Sequence, residues 1–501
     1  MTTIPVPVLF PPAGAPPITT EFVTVSNGQL MLPAPSSAEG GAPGRFVGLG
    51  VNVTGWCIFG TLLDANLKLS AAGQSAVDAA LDNLVNAGIR VVRINDFDGG
   101  LSCNIFSAGN AAQSTTRTLD PAALNALGWF LFACKQRNIR VMLTLHELRA
   151  LQSADLPSWA CPTFAECLAT HSGQGPLGTM HPWFWVDAGL VQLQNEFASQ
   201  LLGWANPWTG MPIGKDPVLL AVTLQNEHSL VKNGPFFAGP IFQQLLQANE
   251  QAYCTANGIA WKGQYSLTKA QIQHWLSQLE TTVLQAQAAY VRTLTPALVI
   301  AGTFYGDGPY AQLIGPCAAG DVCDGHFYSR YAPTDPNGFL GGRTAADLRS
   351  KFSAVLAGCS YGGQPLVCSE FGFVSQATTQ LDPAVEQSQD LEAAVRSLVN
   401  QDCSVACLYA WGWHPLFNDQ YHPQGVYDSR VNATLLRGFQ SLTDWFHDLS
   451  LRPTTSLAVA PTNGLYGAGT GTAYQAYGPF TDPALYAVPA TQKVVIQGAA
   501  A

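Results

Sequence analysis

Short, almost wholly apolar runs recur along the chain, and they alternate with segments whose apolar residues follow a helical spacing. Runs of this length and composition are typical of strands that are buried on both faces, as in a parallel sheet. Eight runs fit this description: residues 46–53, 89–94, 139–145, 219–225, 297–303, 322–327, 366–369 and 405–410.

The intervening segments predict helices at residues 76–87, 121–137, 191–204, 242–257, 269–293, 345–356, 386–400 and 434–449. Asp120 followed by Pro121 is a favourable N-cap and first helical residue, and Gly88 suits the position just past a helix end. Eight strand–helix repeats predict an α/β fold, a (β/α)₈ TIM barrel with parallel strands and right-handed crossovers.

The two ends of the chain differ from this middle part. Residues 1–44 are rich in Pro, Gly and Ser around one strand-like run, which predicts an N-terminal arm or hairpin that caps the bottom of the barrel. Residues 45–449 would form the barrel. Residues 450–501 are rich in Gly, Ala and Pro with one strand-like piece at 493–497, which predicts a short C-terminal appendage packed on the barrel.

Composition narrows the class of protein. Apolar residues make up 47% of the 501 residues, enough for a large core, while charged residues make up only 11%, well below the roughly 25% of ordinary soluble domains. A surface of uncharged polar residues suits an extracellular protein. Residues 1–17 contain no basic residue and are broken by prolines, so they are not a secretory signal. We expect a secreted or periplasmic protein whose signal is absent from this chain, with a cytoplasmic one as the alternative.

The charge pattern excludes some partners. The net charge is −10 and no basic cluster appears, which argues against nucleic acid. The apolar runs are too short to span a bilayer. Neither the charge pattern nor the apolar runs indicate an oligomeric state.

None of the twelve cysteines lies in a CxxC pair, which argues against a zinc ribbon. Cys161 with Cys167, and Cys317 with Cys323, are spaced for local disulfides in an oxidising compartment. Cys134, Cys368 and Cys407 lie in apolar segments and are predicted to be small buried hydrophobic residues.

Two glutamates carry the strongest chemical signal. Glu227 and Glu370 each stand at the end of an apolar run. The C-terminal ends of barrel strands are where such folds build active sites. Two carboxylates brought there from different strands suggest an acid/base and a nucleophile for glycoside hydrolysis.

Further polar and aromatic residues stand at the ends of other runs. In chain order, they are Arg93, His146, Asn226, His326, Tyr328, Trp411 and Trp413.

Taken with the two glutamates, this order of residues resembles the retaining glycoside hydrolases of clan A, and within them the cellulase-like family 5. The resemblance covers about residues 22–448. It implies hydrolysis of β-glycosidic bonds by double displacement, without a cofactor or a metal, and a carbohydrate as the partner. Many members have a proline soon after the acid/base glutamate, where this chain has His228 and Ser229, so the subfamily is left open.

The resemblance assigns Glu227 as acid/base and Glu370 as nucleophile. Arg93 would hold Glu370 ionised by charge pairing, with a hydrogen bond from Tyr328. Burial and the nearby charge of Glu370 would favour a protonated Glu227.

The remaining matches would bind or orient the substrate. Asn226 would bond the sugar 2-hydroxyl. His146 and His326 would bind hydroxyls or orient the carboxylates. Trp411 offers a stacking face for the sugar, and Trp413 competes for that role.

Two alternatives share the barrel: a carbohydrate-binding pseudoenzyme and a transglycosylase. Other motifs fail, because His146-Glu147 is not followed by a histidine at the metalloprotease spacing and no phosphate-binding loop is present. Asp96 and Asp98 could bind a metal, but solvated loop carboxylates are the commoner case.

Long loops predict the shape of the site. The aromatic residues of loop 147–185 form either sugar-stacking subsites or a small core of their own. Together with segments 229–240 and 329–342, this loop would wall the site and favour chain ends or short oligosaccharides.

Overall fold

The computed structural model describes residues 21–32, 44–46, 48–86, 89–99, 103–109, 115–171, 182–230, 239–264, 266–305, 319–330, 364–374, 403–408, 454–459 and 492–497. The strands are β1 (Thr24–Ser26), β2 (Gln29–Leu32), β3 (Gly44–Arg45), β4 (Gly48–Thr54), β5 (Ile89–Asn95), β6 (Arg140–His146), β7 (Ala205–Asn206), β8 (Met211–Pro212), β9 (Leu219–Gln225), β10 (Leu298–Ile300), β11 (Thr303–Tyr305), β12 (Cys323–Arg330), β13 (Leu366–Val374), β14 (Cys403–Leu408), β15 (Thr454–Val459) and β16 (Gln492–Gln497).

The central sheet is a parallel barrel. Its strands follow the order β10-β9-β6-β5-β4-β14-β13-β12-β11, and every pair in it is parallel. The two short end strands, β10 and β11, lie two residues apart in the chain and together form the fifth barrel strand. The sheet therefore has eight parallel strands, and the predicted (β/α)₈ barrel is confirmed.

The described helices are α1 (Gly55–Leu62), α2 (Ala71–Asn86), α3 (Pro121–Gln136), α4 (Phe164–His171), α5 (Ala188–Gly203), α6 (Pro240–Ala256) and α7 (Lys269–Leu294), with short 3₁₀ turns at Ser153–Asp155, Trp183–Trp185 and Ile213–Lys215. The Asp120 side chain caps α3 by accepting from the backbone N–H groups of Ala122 and Ala123, as the sequence predicted. The predicted helices at 345–356, 386–400 and 434–449 lie outside the described residues.

Sequence reasoning missed α1 because its residues are apolar around most of the helix. Gly55, Cys57, Ile58 and Phe59 are all buried, so this stretch has no polar face to give a helical period.

The core has two parts. An outer cluster lies between the sheet and the helices and includes Val92, Ile94 and Leu143. An inner cluster fills the barrel and includes Val91 and Met142.

The N-terminal strands complete the inner cluster. Asn27 and Gly28 have positive φ angles of 51° and 73° and form the tight turn between β1 and β2. Val23 and Leu30 from this hairpin, with Phe46, belong to the same buried cluster as Val91 inside the barrel. These contacts close the barrel interior with apolar side chains.

Side chains alternate along each barrel strand, so Arg93 and Asn95 share the inner face with Val91 on β5, and Thr144 and His146 share it with Met142 on β6. The inner face thus changes from apolar to polar towards the C-terminal ends of the strands. This layering places the polar residues at one end of the barrel.

Near the C-terminus, β15 pairs with β16 in an antiparallel two-stranded sheet. The division into arm, barrel and appendage stays a prediction. None of the helices in the described part of the chain is long and apolar enough to cross a bilayer.

Cys161 and Cys323 are free thiols, so the spacing that suggested local disulfides is not used at either pair. Cys317 lies outside the described residues. Cys134, Cys368 and Cys407 are buried, as predicted.

Candidate active site

Glu227 and Glu370 meet at the C-terminal end of the barrel. Glu227 is the second residue after the end of β9 and has a φ of 55°, a left-handed conformation that is uncommon for a residue with a side chain. Glu370 lies in β13 where the pairing with β14 is irregular, and β12 is irregular just before His326. Irregular strand ends re-aim side chains next to active sites. One carboxylate oxygen of Glu227 lies within 4.8 Å of one of Glu370.

Glu370 is held by a buried cation. Its Oε1 forms a salt bridge with Arg93, and the side chains are 5% and 0% exposed. Burial lowers the pKa of Arg93, but the surrounding carboxylates, Glu370 first among them, outweigh burial and raise that pKa above its ordinary value. The guanidinium is therefore a permanent charge that stabilises ionised Glu370.

Two asparagines orient this guanidinium. Arg93 donates to Asn52 Oδ1 at 2.9 Å and to Asn226 Oδ1 at 2.7 Å. Asn52 in turn donates to the backbone carbonyl of Ser369 at 2.8 Å, so β4, β5 and β13 are tied together beside Glu370.

Glu227 has a different environment. Its Oε1 lies 2.5 Å from His326 Nδ1, and its side chain is 27% exposed. The same Nδ1 lies 3.3 Å from Glu370 Oε2. The imidazole ring therefore stands between the two carboxylates, while Glu227 alone reaches the solvent side.

Glu147, which follows β6, is a third carboxylate at the site. It accepts a hydrogen bond from Asn226 Nδ2, and its Oε2 accepts one from the backbone N–H of Asp96 at 2.8 Å. Burial raises the pKa of Glu147 well above its usual value, although Arg93 opposes the shift. The Asn226 amide is thus fixed between Arg93 and Glu147.

Asp98 is a structural residue. Its carboxylate accepts from the backbone N–H groups of Glu147 and Leu148, both at 2.9 Å. Burial raises its pKa to about 6. These bonds pin the start of the loop after β6, which argues for a structural use of Asp98 over the metal-binding one.

His146 ends β6, as expected, and its ring contacts an aromatic side chain of helix α5. Its ring packs against Phe197 at a centroid distance of 5.5 Å. Burial, with the charge of Arg149, lowers its pKa well below the ordinary value, so the ring is neutral. Within the described residues, its Nδ1 has no hydrogen-bond partner.

The aromatic residues of loop 147–185 form a core. Trp183, Phe184 and Trp185 are buried, and Trp159 donates to the backbone carbonyl of Gly189 at 3.1 Å. They belong to the outer core cluster or pack against it, so the interpretation as a small core is favoured over sugar-stacking subsites.

The remaining predicted site residues cannot be placed. The side chain of Tyr328 on β12 lies outside the described residues, as do Trp411 and Trp413.

Glu227, His326 and Glu370 bring three ligand-type atoms within 4.8 Å of one another, a spacing that a metal ion could use. The fixed charge of Arg93 on Glu370 repels a second cation at this point. The cluster is therefore better suited to proton exchange than to metal coordination.

No family model and no curated protein matches the sequence. Among solved structures, the chain is similar to an endo-1,4-β-mannanase from Rhizomucor miehei, with a TM-score of 0.51 at 14% identity over 85% of this chain and 99% of that one. It is also similar to an endo-β-1,4-mannanase from Thermotoga petrophila, with a TM-score of 0.50 at 14% identity over 83% and 80% of the two chains. The chain shares the fold of these mannanases. The barrel fold expected from the sequence is thereby confirmed.

Four residues that hydrogen-bond to groups around Glu227 and Glu370 were not predicted as site residues: Asn52, Glu147, Asp324 and Ser369. Three of them are polar residues inside apolar runs, at positions 52, 324 and 369. A polar side chain within a strand that is buried on both faces needs a hydrogen-bond partner. That requirement could have identified these three positions as part of a polar network.

Proposed function

We propose that this protein is a retaining β-glycoside hydrolase related to the family 5 enzymes, with Glu370 as nucleophile and Glu227 as acid/base. The observation that carries the proposal is the spacing of the two carboxylates, whose nearest oxygens lie within 4.8 Å. Retaining enzymes hold their carboxyl groups roughly 5–5.5 Å apart, whereas inverting enzymes leave about 6.5–9.5 Å for a water molecule.

The two environments support the division of roles. A nucleophile must be ionised, and Glu370 is paired with the buried Arg93. An acid must reach the leaving-group oxygen and carry a proton, and Glu227 is the more exposed carboxylate and lies against His326. Two carboxylates with such different surroundings can serve as ionised nucleophile and protonated acid at one pH.

Asn226 has a narrower role than expected. Its Oδ1 accepts from Arg93 and its Nδ2 donates to Glu147. One amide hydrogen is left for a sugar hydroxyl, so Asn226 would contact the substrate as a donor. Tyr328 keeps its proposed hydrogen bond to Glu370, and Trp411 and Trp413 keep their proposed stacking on the sugar.

The test is turnover of aryl β-glycosides and of soluble β-linked polysaccharides, with β-mannosides and β-mannan included because the fold neighbours are mannanases. Wild-type turnover with initial release of the β-anomer, observed by proton NMR, would support the proposal. Glu370→Gln keeps the shape but removes the attacking charge, and should lower turnover by several orders of magnitude. Initial release of the α-anomer, or an active Glu370→Gln variant, would contradict the assignment. Binding of carbohydrate without turnover would favour the pseudoenzyme.

A further inference from the structure

We propose that Ser369 and Asp324 are positioning residues that fix the tautomer of His326 and thereby keep a proton at Glu227. The inference rests on the proposed function, because it concerns the group assigned as acid/base. Neither Ser369 nor Asp324 touches the substrate in this proposal. Both act on Glu227 through the imidazole ring of His326.

Asp324 is a fully buried carboxylate surrounded by hydrogen-bond donors. Its Oδ1 accepts from the backbone N–H of Ser369 at 2.9 Å. Its Oδ2 accepts from Ser369 Oγ at 2.6 Å and from Thr303 Oγ1 at 2.8 Å. Because all three partners can donate, the carboxylate is satisfied in its ionised form.

The hydrogen bonds that link Asp324, Ser369 and His326 fix which nitrogen of the imidazole ring carries the hydrogen. The single hydroxyl hydrogen of Ser369 points to Asp324, so its oxygen acts as an acceptor towards His326 Nε2 at 2.8 Å. Nε2 must therefore carry a hydrogen. A neutral imidazole has one N–H, so Nδ1 then presents its lone pair to Glu227 Oε1 at 2.5 Å.

Two lone pairs facing each other at this distance repel, and a proton between them removes the repulsion. The proton resides either on Glu227 or on Nδ1, and in both cases it stays within reach of the leaving group. The opposite tautomer would donate its Nδ1–H to an ionised Glu227 and so stabilise the acid in its inactive form. Fixing the tautomer therefore keeps the acid protonated up to a higher pH.

The charges around the ring act in the same direction. The titratable groups that face His326 are Glu227, which follows β9, Glu370 on β13 and Asp324 on β12, with Nδ1 to Glu370 Oε2 at 3.3 Å and Nε2 to Asp324 Oδ2 at 3.7 Å. All three are acidic, and their negative charges favour a proton shared between His326 and Glu227. Arg93, which opposes it, is engaged with the far oxygen of Glu370.

The first test is the tautomer itself, measured by ¹⁵N NMR on the full chain with labelled histidine and with His326→Gln to assign the ring. At alkaline pH, wild type should show a protonated Nε2 and a bare Nδ1. Ser369→Ala removes the acceptor, and Asp324→Asn offers an amide that makes Ser369 donate to Nε2. Both variants should show protonation moved to Nδ1. A wild-type ring protonated on Nδ1, or variants that leave the tautomer unchanged, would overturn the proposal.

The second test is the pH dependence of kcat/KM, with phenyl and 2,4-dinitrophenyl glycosides of the sugar that wild type hydrolyses. Ser369→Ala and Asp324→Asn should move the alkaline limb to lower pH by about one unit for the phenyl substrate, the size of one charged hydrogen bond. The dinitrophenyl substrate needs no protonation and should show little shift. An unshifted alkaline limb in both variants would overturn the proposal.

Thr303→Val is the matched control, because it removes a hydrogen bond from the same Asp324 oxygen without breaking the chain to His326. It should leave both the tautomer and the alkaline limb where wild type has them; a shift of equal size would make Asp324 a merely structural residue. Asp324→Asn preserves volume, so it serves if Ser369→Ala fails to fold. The two proposals can fail separately. If wild type shows the expected tautomer but hydrolyses no glycoside, the proposed function is refuted and the tautomer assignment stands.

Discussion

Replacing Arg93 by methionine removes the buried positive charge beside Glu370 and keeps an unbranched apolar stem in its place. Three acceptors then lose their donor: Glu370 Oε1, Asn52 Oδ1 and Asn226 Oδ1. Because the Glu370 side chain is only 5% exposed, water cannot replace the lost partner.

Removing one member of a buried ion pair typically costs about 3–5 kcal/mol. The carboxylate can relieve that cost by taking up a proton, and about 1.36 kcal/mol corresponds to one pH unit. The acidic limb of the activity profile should therefore move upward by about two to four pH units. The sign follows from the charges: the cation disfavours a proton on Glu370, so without it the proposed nucleophile would be protonated, and unable to attack, up to a higher pH.

The assay is the pH dependence of kcat/KM on an activated aryl glycoside, with thermal unfolding recorded for each variant. Arg140→Met is the matched control, since Arg140 is another buried barrel arginine but donates to backbone carbonyls, including that of Glu21 at 2.9 Å. It should lower stability without moving the acidic limb. An Arg93→Met profile that is lowered equally at every pH, with the limb unmoved, would refute the assignment of Arg93 as the charge partner.

Three further predictions concern the proposed acid, a partly buried histidine and the loops. Glu227→Ala should impair substrates with poor leaving groups far more than activated ones, and azide should partly restore turnover of the activated ones; equal losses without rescue would count against its role. Burial lowers the pKa of His228 to about 4, so the folded chain keeps it neutral while the unfolded chain binds a proton below about pH 6.5. Its contribution to stability is therefore complete above that pH, and urea unfolding should show a loss of about 2 kcal/mol between about pH 7.5 and pH 5 that is reduced in His228→Gln. The walled site expected from the loop lengths would give early release of mono- or disaccharides from a soluble polysaccharide, and a rapid fall in viscosity would contradict that expectation.

The barrel could be predicted from the sequence because its strands are buried on both faces. Leu219–Gln225 was predicted with the bounds that the structure has, because its residues are apolar except for Thr223 and Gln225 and the polar pair Asn226-Glu227 follows it. The fifth strand was predicted as one piece and forms two, β10 and β11. The break falls at Ala301-Gly302, and a glycine inside a strand run was the available signal for it. The two pieces pair with different neighbours, β9 and β12.

The candidate site was predictable as a set of residues but not as a network. Positions at strand ends brought Arg93, Asn226, His326 and the two glutamates together, since parallel strands end on one side of a sheet. The pattern could not show that His146 turns towards Phe197, because ring orientation depends on helix packing. Nor could it show that Ser369 lies between His326 and Asp324, a contact made across two strands.

The anchoring of the loop after β6 has a consequence for protein engineering. Asp98 fixes the backbone where this loop leaves the barrel. Further along, the Glu166 carboxylate on α4 accepts from the backbone N–H groups of Ile241 and Phe242, and so caps the start of α6. With both of these points anchored by carboxylates outside the proposed catalytic pair, the exposed positions between them, such as Ser153, Ala154, Leu156 and Ser158, can be varied while Glu227 and Glu370 keep their geometry. Libraries aimed at new specificity should therefore vary these positions and retain Asp98, Glu147 and Glu166.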